Sequence, residues 1–372
     1  MHDKSDSIVH IISTLSTSMT NSLVKNTGLT IEDPTLSNEI DSMHNSVVVK
    51  SSARLHMGFF DLNASLGRKF GSIGLSLAEP SIKLQAKIST KIKVLGSQGV
   101  AEDILDKAHV ITSHLVKQLN LNHAVTIEIQ QFVLAHAGLG SGTQLALTIG
   151  GAMNSLFNLQ LKTRDIAILT GRGGRSGIGI AAFDFGGLIV DGGRKNQLTD
   201  LTIPPLLARY DFPASWRILL IFDHEEPGLH GNDETIAFNE LPEFPEDLAA
   251  HLCRHVLMQA MPAIIEEDLQ AFGESIQVLQ THTGDYFAPA QGGRYASQSV
   301  AKVLDFLQKN GVACFGQSSW GPTGFAVFEN EKLAEQFLAK CKMQFNHKNI
   351  SYLMTSAQNK GATINKQKNF EC

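Results

Sequence analysis

Apolar residues take alternate places in three stretches of the first half of the chain. In SARLHMGFF, Ala53, Leu55, Met57 and Phe59 alternate with Ser52, Arg54, His56 and Gly58; SIKLQAKIS and AVTIEIQQ repeat the pattern with Ile82, Leu84, Ala86 and Ile88 and with Val125, Ile127 and Ile129. A period of two belongs to a strand with one buried face. The three stretches therefore predict strands of an open, partly solvated sheet, and Arg54 and His56 share one face of the first. Over residues 101–119 the period changes: Ile104, Leu105, Ala108, Ile111, Leu115 and Leu119 form one helical stripe, which predicts a helix covering that sheet.

A second helical pattern, Leu145, Ile149, Ala152, Met153 and Leu156, follows directly on the glycine-rich HAGLGSGTQ, so the glycines sit at a helix N-terminus. FGGLIVDGG reads as a strand or hairpin between glycines. TIPPLLARYDFP, with Pro204 and Pro205, marks a lobe boundary. Beyond it, RILLIFD reads as a buried strand, and DLAAHLCRHVLMQAM and AIIEEDLQAFGESIQVL as two helices parted near Pro262. SQSVAKVLDFLQKNG is a helix ended by Gly311, then comes a strand-turn in VACFGQSSWGPTGFAVF and a helix from about Glu331. The division expected is a first lobe at 46–205 carrying the glycine loop and a second at 206–355. Residues 1–45 and 356–372, polar and poor in aromatics, are expected as a flexible extension and tail. Ile8, Ile11, Ile12, Leu15 and Met19 keep helical spacing in the extension, among many Ser and Thr.

A chain of 372 residues with 43% hydrophobic and 18% charged residues has ample core for two modules. Its 31 basic and 36 acidic residues give a net charge of −5, which provides no footprint for nucleic acid or an anionic membrane. Cys253, Cys314, Cys341 and Cys372 are widely spaced, without a metal or disulfide framework. Asp3 and Asp6 stand where an export signal would be basic, and no apolar run reaches the roughly eighteen residues of a membrane span, so a cytoplasmic location is expected.

The chemistry concentrates in four glycine-rich places. Gly138, Gly140 and Gly142, with Ser141 and Thr143, put unpaired backbone amides and a helix dipole where an anion can approach closely; this is a phosphate-binding arrangement or a tightly packed turn. It lacks the lysine of a Walker A loop and the spacing of a dinucleotide site. In TGRGGRSGIGIAAFDFGGLIVDGG, Arg172 and Arg175 suit phosphate or carboxylate capture, or are surface arginines of a turn-rich hairpin; Asp191 is placed to hold Mg²⁺, to act as a base, or to close an Asx turn. APAQGGRYAS offers Arg294. GQSSWGPTGF crowds Gln317, Ser318, Ser319 and Thr323 around Trp320, which suits an aromatic or sugar ligand or else a strained turn. His251 and His255, four apart, lack a third metal ligand and are discounted.

HAGLGSGTQLAL resembles the second motif of the GHMP kinase superfamily, a P-x-x-x-G-L-G-S-S pattern, with another residue at the proline position and Gly142 in place of the second serine. ARLHMGFFDLN, GSIGLSLAEP, HAGLGSGTQ, GRGGRSGIGIAAFDFGGLIVDGG, QGGRY and GQSSWGPT, in that order over roughly 47–355, look like the family of beta-ribofuranosylaminobenzene 5'-phosphate synthases. The resemblance implies an α+β, two-lobed GHMP kinase-like fold, with a ribosomal-protein-S5-domain-2-like first lobe and a ferredoxin-like second lobe. It implies a decarboxylating pentosyltransferase of tetrahydromethanopterin biosynthesis. Such an enzyme joins 5-phosphoribosyl 1-diphosphate to 4-aminobenzoate or 4-hydroxybenzoate and releases CO2 and pyrophosphate. Mg²⁺ and a homodimer are expected with it, and ATP is not. On this resemblance Gly138, Gly140, Ser141, Gly142 and Thr143 take phosphate or diphosphate. Arg175 and Ser176 take the carboxylate or diphosphate, and Asp191 takes magnesium or ribose, with Asp61 a second metal contact. Arg54, His56, Arg172 and Arg294 add substrate contacts, and Ser318, Ser319 and Trp320 bound an aromatic pocket. The rival readings are an ATP-dependent small-molecule kinase and a non-catalytic phosphometabolite binder.

Overall fold

The computed structural model describes residues 46–133, 137–196, 202–225 and 240–367; the extension 1–45 and the last five residues of the tail lie outside the described residues. The first lobe runs β1 (Ser46–Asp61), β2 (Arg68–Ser89), β3 (Lys93–Gly96), α1 (Glu102–Gln118), β4 (Ala124–Gln131), α2 (Ser141–Leu156), α3 (Thr163–Leu169), α4 (Ile178–Phe185), β5 (Leu188–Lys195) and β6 (Leu206–Tyr210). The second runs β7 (Arg217–Asp223), α5 (Glu246–His255), a π turn (Val256–Ala260), α6 (Met261–Ile265), α7 (Leu269–Gln291), α8 (Gln298–Lys309), β8 (Cys314–Gln317), β9 (Gly324–Phe328), α9 (Glu331–Gln344) and β10 (Ile350–Thr355). β11 (Thr363–Gln367) follows.

β2 is long enough to serve two neighbours: its first half pairs with β5 and its second with β4, while β1 runs along its other edge. The alternating strands are all found. β1 is more deeply buried than its period implies, with Ala53, Leu55, Met57 and also His56 inside, because α2 and α7 both pack against it. Three register shifts along β1, at Ser52/Arg54, His56/Gly58 and Phe59/Asp61, bend it where it meets the second lobe. α1 buries Ile104, Ala108 and Leu115 of the expected stripe. α2 is enclosed nearly all round. At Gly150 it lies so close to α3 that a Cβ would fall on Ile166.

The second sheet has the order β10-β7-β9-β8, every neighbour antiparallel. Numbered within the lobe this is 4-1-3-2 with helices after the first and third strands, the ferredoxin-like arrangement expected. The helix break is not at Pro262. Met261 N–H reaches back to Val256 in a π turn, and Pro262, which has no amide to give, follows inside the first turn of α6. The chain turns instead at Glu267 (φ 55°), and Asp268 caps α7 by accepting from Ala271 N at 3.0 Å. Helix 246–265 is apolar and long enough by composition to cross a membrane, but Leu252, Val256, Ala260 and Ala263 are core residues of the second lobe.

Two expected boundaries need correction. β6 still belongs to the first sheet, paired with β5, so the lobes part after Tyr210 and not at 205/206. The tail is not loose: β11 pairs with β1 from Ser46↔Gln367 to Lys50↔Thr363. The segment before it is held by backbone bonds from Gly187 N to Gln358 O (2.7 Å) and from Ala362 N to Phe183 O (2.7 Å). Asn359 then brackets Phe212 at the lobe junction, accepting from its N–H at 2.8 Å and donating to its carbonyl at 2.9 Å. Substituting Asn359→Ala leaves both backbone groups of Phe212 without that partner. A loss of about 1–3 kcal/mol is expected in a urea unfolding titration.

Candidate active site

The glycine turn is built by backbone conformation. Gly138 (φ 72°) and Gly140 (φ 76°) are left-handed, which reverses the chain into α2, and Gly140 caps that helix without any side-chain bond. The first-turn amides of Ser141, Gly142 and Thr143 have no place in the intrahelical ladder and carry the positive end of the helix dipole.

Two arginines flank the turn. Arg54 donates from Nη1 to Gly138 O at 2.6 Å and from its backbone to Leu139 O at 3.1 Å, and its side chain lies across Gly140, where a Cβ would stand 3.1 Å from the guanidinium carbon. Arg172 lies on the other side, 3.5 Å from where a Cβ on Gly142 would be. Its Nε is buried with no hydrogen-bond partner among the described residues, and burial pushes its pKa below the ordinary arginine value. A guanidinium that keeps its charge at neutral pH is thus set beside the positive end of a helix, a placement that an anion between them relieves.

The second lobe supports this turn from behind. Ser318 is fully buried; its Oγ donates to Gly138 O at 2.8 Å and accepts from His56 N at 3.0 Å. Ser319 N donates to His56 O at 3.0 Å. A Cβ at Gly138 would fall on the Ser318 carbonyl oxygen, so the two turns touch backbone to backbone. Ser318 is accordingly a brace and not the pocket wall expected of it. Ser319 and Trp320 do line a cavity of about 20 Å³, together with His56, Phe59, Gln280 and Phe287. Trp320 packs on Phe287 with ring centroids 4.3 Å apart.

Both carboxylate oxygens of Asp191 are engaged within the protein. One oxygen accepts from Ser72 Oγ (2.7 Å), Ser176 Oγ (3.0 Å) and Gly177 N (2.8 Å), the other from Gly193 N (2.9 Å), and the residue is 1% exposed. Burial raises its pKa to about 6 against the pull of these donors. Ser176 in turn accepts from Ile178 N at 3.2 Å. Together they fasten the start of α4. Asp61 accepts from Asn63 N at 3.0 Å in an Asx turn on β1, while Asp191 is on β5 with β2 between them. These two carboxylates do not fit a shared Mg²⁺, and among the described residues no three His, Cys, Asp or Glu are grouped to hold a metal. Arg175 lies half-buried in the turn before α4. Arg294 is committed to Asp285 in a two-pronged ion pair of 2.7 and 2.9 Å at the rim of the cavity, which raises its pKa and corrects its reading as an anion receptor. His282 does approach His251, ring centroids 5.8 Å apart, but without metal-binding geometry.

Two contributors were not singled out from the sequence. Gln280 donates to Met57 O (2.6 Å) and Gln317 O (3.0 Å) and accepts from Gln317 N (2.8 Å), tying α7 to β1 and β8. Its signal was a polar residue on the buried stripe of Phe272, Ile276 and Leu279. Phe287 lies beyond Leu279, where the helix read from the sequence stops, whereas α7 continues to Gln291.

This fold and its glycine turn define the class. The chain matches the GHMP kinase N-terminal domain over residues 104–187 and the GHMP kinase C-terminal domain over 260–347. Solved structures of the same fold include a homoserine kinase from Cytophaga hutchinsonii (TM-score 0.62, 17% identity, 87% of this chain and 98% of that one). A mevalonate diphosphate decarboxylase from Staphylococcus aureus is equally similar (TM-score 0.62, 16%, 87% and 99%). More narrowly, the chain is 33% identical over 330 residues to the beta-ribofuranosylphenol 5'-phosphate synthase of Archaeoglobus fulgidus, covering 85% of this chain and 98% of that protein. It is 34% identical over 310 residues to the protein of the same name from Methanocaldococcus jannaschii, covering 78% and 92%. The chain belongs to the beta-ribofuranosylphenol 5'-phosphate synthase family of the GHMP kinase superfamily.

Two substitutions test the geometry. Gly138→Ala demands a left-handed alanine and displaces the Ser318 carbonyl; the strained φ alone costs about 1–3 kcal/mol, and a lowered melting temperature is expected. Asp191→Asn cannot accept from four donors, and its amide would face some of them; leaving one such group unmet costs about 1–3 kcal/mol, read from urea midpoints. The native Asp191 carboxyl holds its proton to about pH 6, the unfolded one only to about 3.9. Its contribution to stability is therefore lost as pH rises through that window, and the variant lacks this slope.

Proposed function

We propose that this enzyme condenses 5-phosphoribosyl 1-diphosphate with a para-substituted benzoate, 4-hydroxybenzoate foremost, to give a ribofuranosyl-arene 5'-phosphate, CO2 and pyrophosphate. The observation that carries this reading is the half-buried Arg172, its Nε unmet among the described residues, beside the N-terminus of α2, in a chain whose relatives are named for a ribofuranosylphenol phosphate. A doubly positive pocket of that kind suits a phosphate group of the ribosyl donor.

The C1–oxygen bond of the ribose breaks with its electron pair leaving on pyrophosphate, and the positive charge at C1 is met by ring electrons of the arene. The new bond forms at the carbon that bears the carboxylate, para to the electron-donating substituent. Loss of CO2 returns the carbon–carbon bonding pair to the ring and restores aromaticity, with no net proton taken up. Arg172 and the amides of Ser141, Gly142 and Thr143 stabilise the phosphate charge, while Arg54 holds the turn in shape. Orientation and exclusion of water are the protein's remaining tasks. No step is assigned to a protein-bound metal, since Asp191 and Asp61 do not offer one a site. Within the family's chemistry the product serves tetrahydromethanopterin biosynthesis.

Mass spectrometry of the purified protein with phosphoribosyl diphosphate, Mg²⁺ and either 4-hydroxybenzoate or 4-aminobenzoate should show a decarboxylated ribosyl-arene phosphate without ATP. Product only with ATP, accompanied by ADP, would establish a kinase instead. Arg172→Ala should lower kcat/KM for phosphoribosyl diphosphate by roughly 10- to 150-fold, as expected for a lost charge-assisted bond of about 1.5–3 kcal/mol.

A further inference from the structure

We propose that His56 is the specificity-determining residue for the para substituent of the aromatic acid, taking its hydroxyl or amino group at Nε2 inside the small cavity between the lobes. This rests on the reaction proposed above but concerns a separate matter, how the ring is held and which ring is chosen.

His56 is 3% exposed, and its Nε2 is buried with no hydrogen-bond partner among the described residues. A buried polar atom left unmet is costly, and its retention calls for a ligand or a water. His56 lines the cavity together with Phe59, whose ring centroid is 4.5 Å from that of the imidazole, and with Phe287 and Trp320. At about 20 Å³ the cavity holds about one water. That is the room a hydroxyl or an amino group needs and less than a carboxylate or a whole ring requires. The substituent therefore enters first, and the carbon opposite it, which attacks C1 of the ribose and then loses the carboxylate, faces outward.

The position of His56 is fixed from both sides of its backbone. Its N–H donates to Ser318 Oγ and its carbonyl accepts from Ser319 N, each at 3.0 Å, and the same Ser318 oxygen donates to Gly138 O. One short hydrogen-bonded path thus sets the distance between the ring and the phosphate-binding turn. Burial and the nearby Arg54 charge hold the imidazole pKa down to about 3, while a hydrogen bond to its own backbone pulls weakly the other way. A neutral ring, unlike an imidazolium, has an acceptor nitrogen, so it can receive a phenol O–H. A phenol is the stronger donor than an aniline, which favours 4-hydroxybenzoate.

The test compares binding of 4-hydroxybenzoate and of benzoate, which lacks the substituent, to the full-length chain with phosphoribosyl diphosphate present, by competition against turnover. The wild type should prefer 4-hydroxybenzoate by about tenfold or more, the value of one good hydrogen bond. His56→Leu should bind the two acids within about twofold of each other with KM for phosphoribosyl diphosphate unchanged, and His56→Gln should regain part of the preference. Were His56→Leu not to fold, His56→Gln and His56→Asn would be read for the same ratio, expected to fall at least threefold. A preference that survives every His56 substitution, or a loss that strikes both acids alike, overturns the assignment. Absence of any ribosyl-arene product from the wild type would instead overturn the reaction, and the two failures are distinct.

Discussion

The carbonyl oxygen of Gly138 is held at once by Arg54 from the first sheet and by Ser318 from the second lobe. Through that atom, the turn that opens α2, the strand that carries His56 and the turn that carries Trp320 are set relative to each other. Because Gly138 has no side chain, the Ser318–Gly321 backbone can lie directly against it. A larger residue there would part the lobes where the reactants are expected to meet. The glycine is thus required twice, for its left-handed φ and for the contact behind it.

Much of the architecture was legible because it follows from periodicity. The alternation in β1, β2 and β4 and the stripe in α1 report how each element meets its own core, and both lobes follow from them. What periodicity cannot report is what a neighbour does. β1 reads as half-exposed, yet α7 comes from over two hundred residues away to cover it. β11 is exposed along its whole length and polar, so composition reads it as tail; its attachment to β1 is made by backbone bonds that leave no trace in side-chain type. The pair Pro204-Pro205 reads as a boundary, but prolines also sit at the entrance of an edge strand, as they do before β6.

The site was legible as a set of residue types and less so as a set of roles. The glycine turn and Arg172 lie side by side, and both stand out in the sequence because glycine spacing and a nearby arginine are local features. Asp191 and Arg294 look reactive in the sequence because their partners are not visible there. Ser72, Ser176, Gly177 and Gly193 consume the lone pairs of one, and Asp285 consumes the charge of the other. His56 shows the converse. Its place in an alternating strand says only which face it shares with Arg54. Burial beside Phe59 with an unmet nitrogen arises from the second lobe closing over it.

The return of β11 to the side of β1 also bears on how the molecule is made. A chain emerging from the ribosome releases its first lobe early, but the outer edge of that lobe's sheet stays open until residue 367 has been synthesised, after the second lobe is complete. The order of synthesis and the order of assembly therefore differ, and the first strand waits for the last. The first lobe's sheet is thus completed by a strand that the chain supplies only after the second lobe.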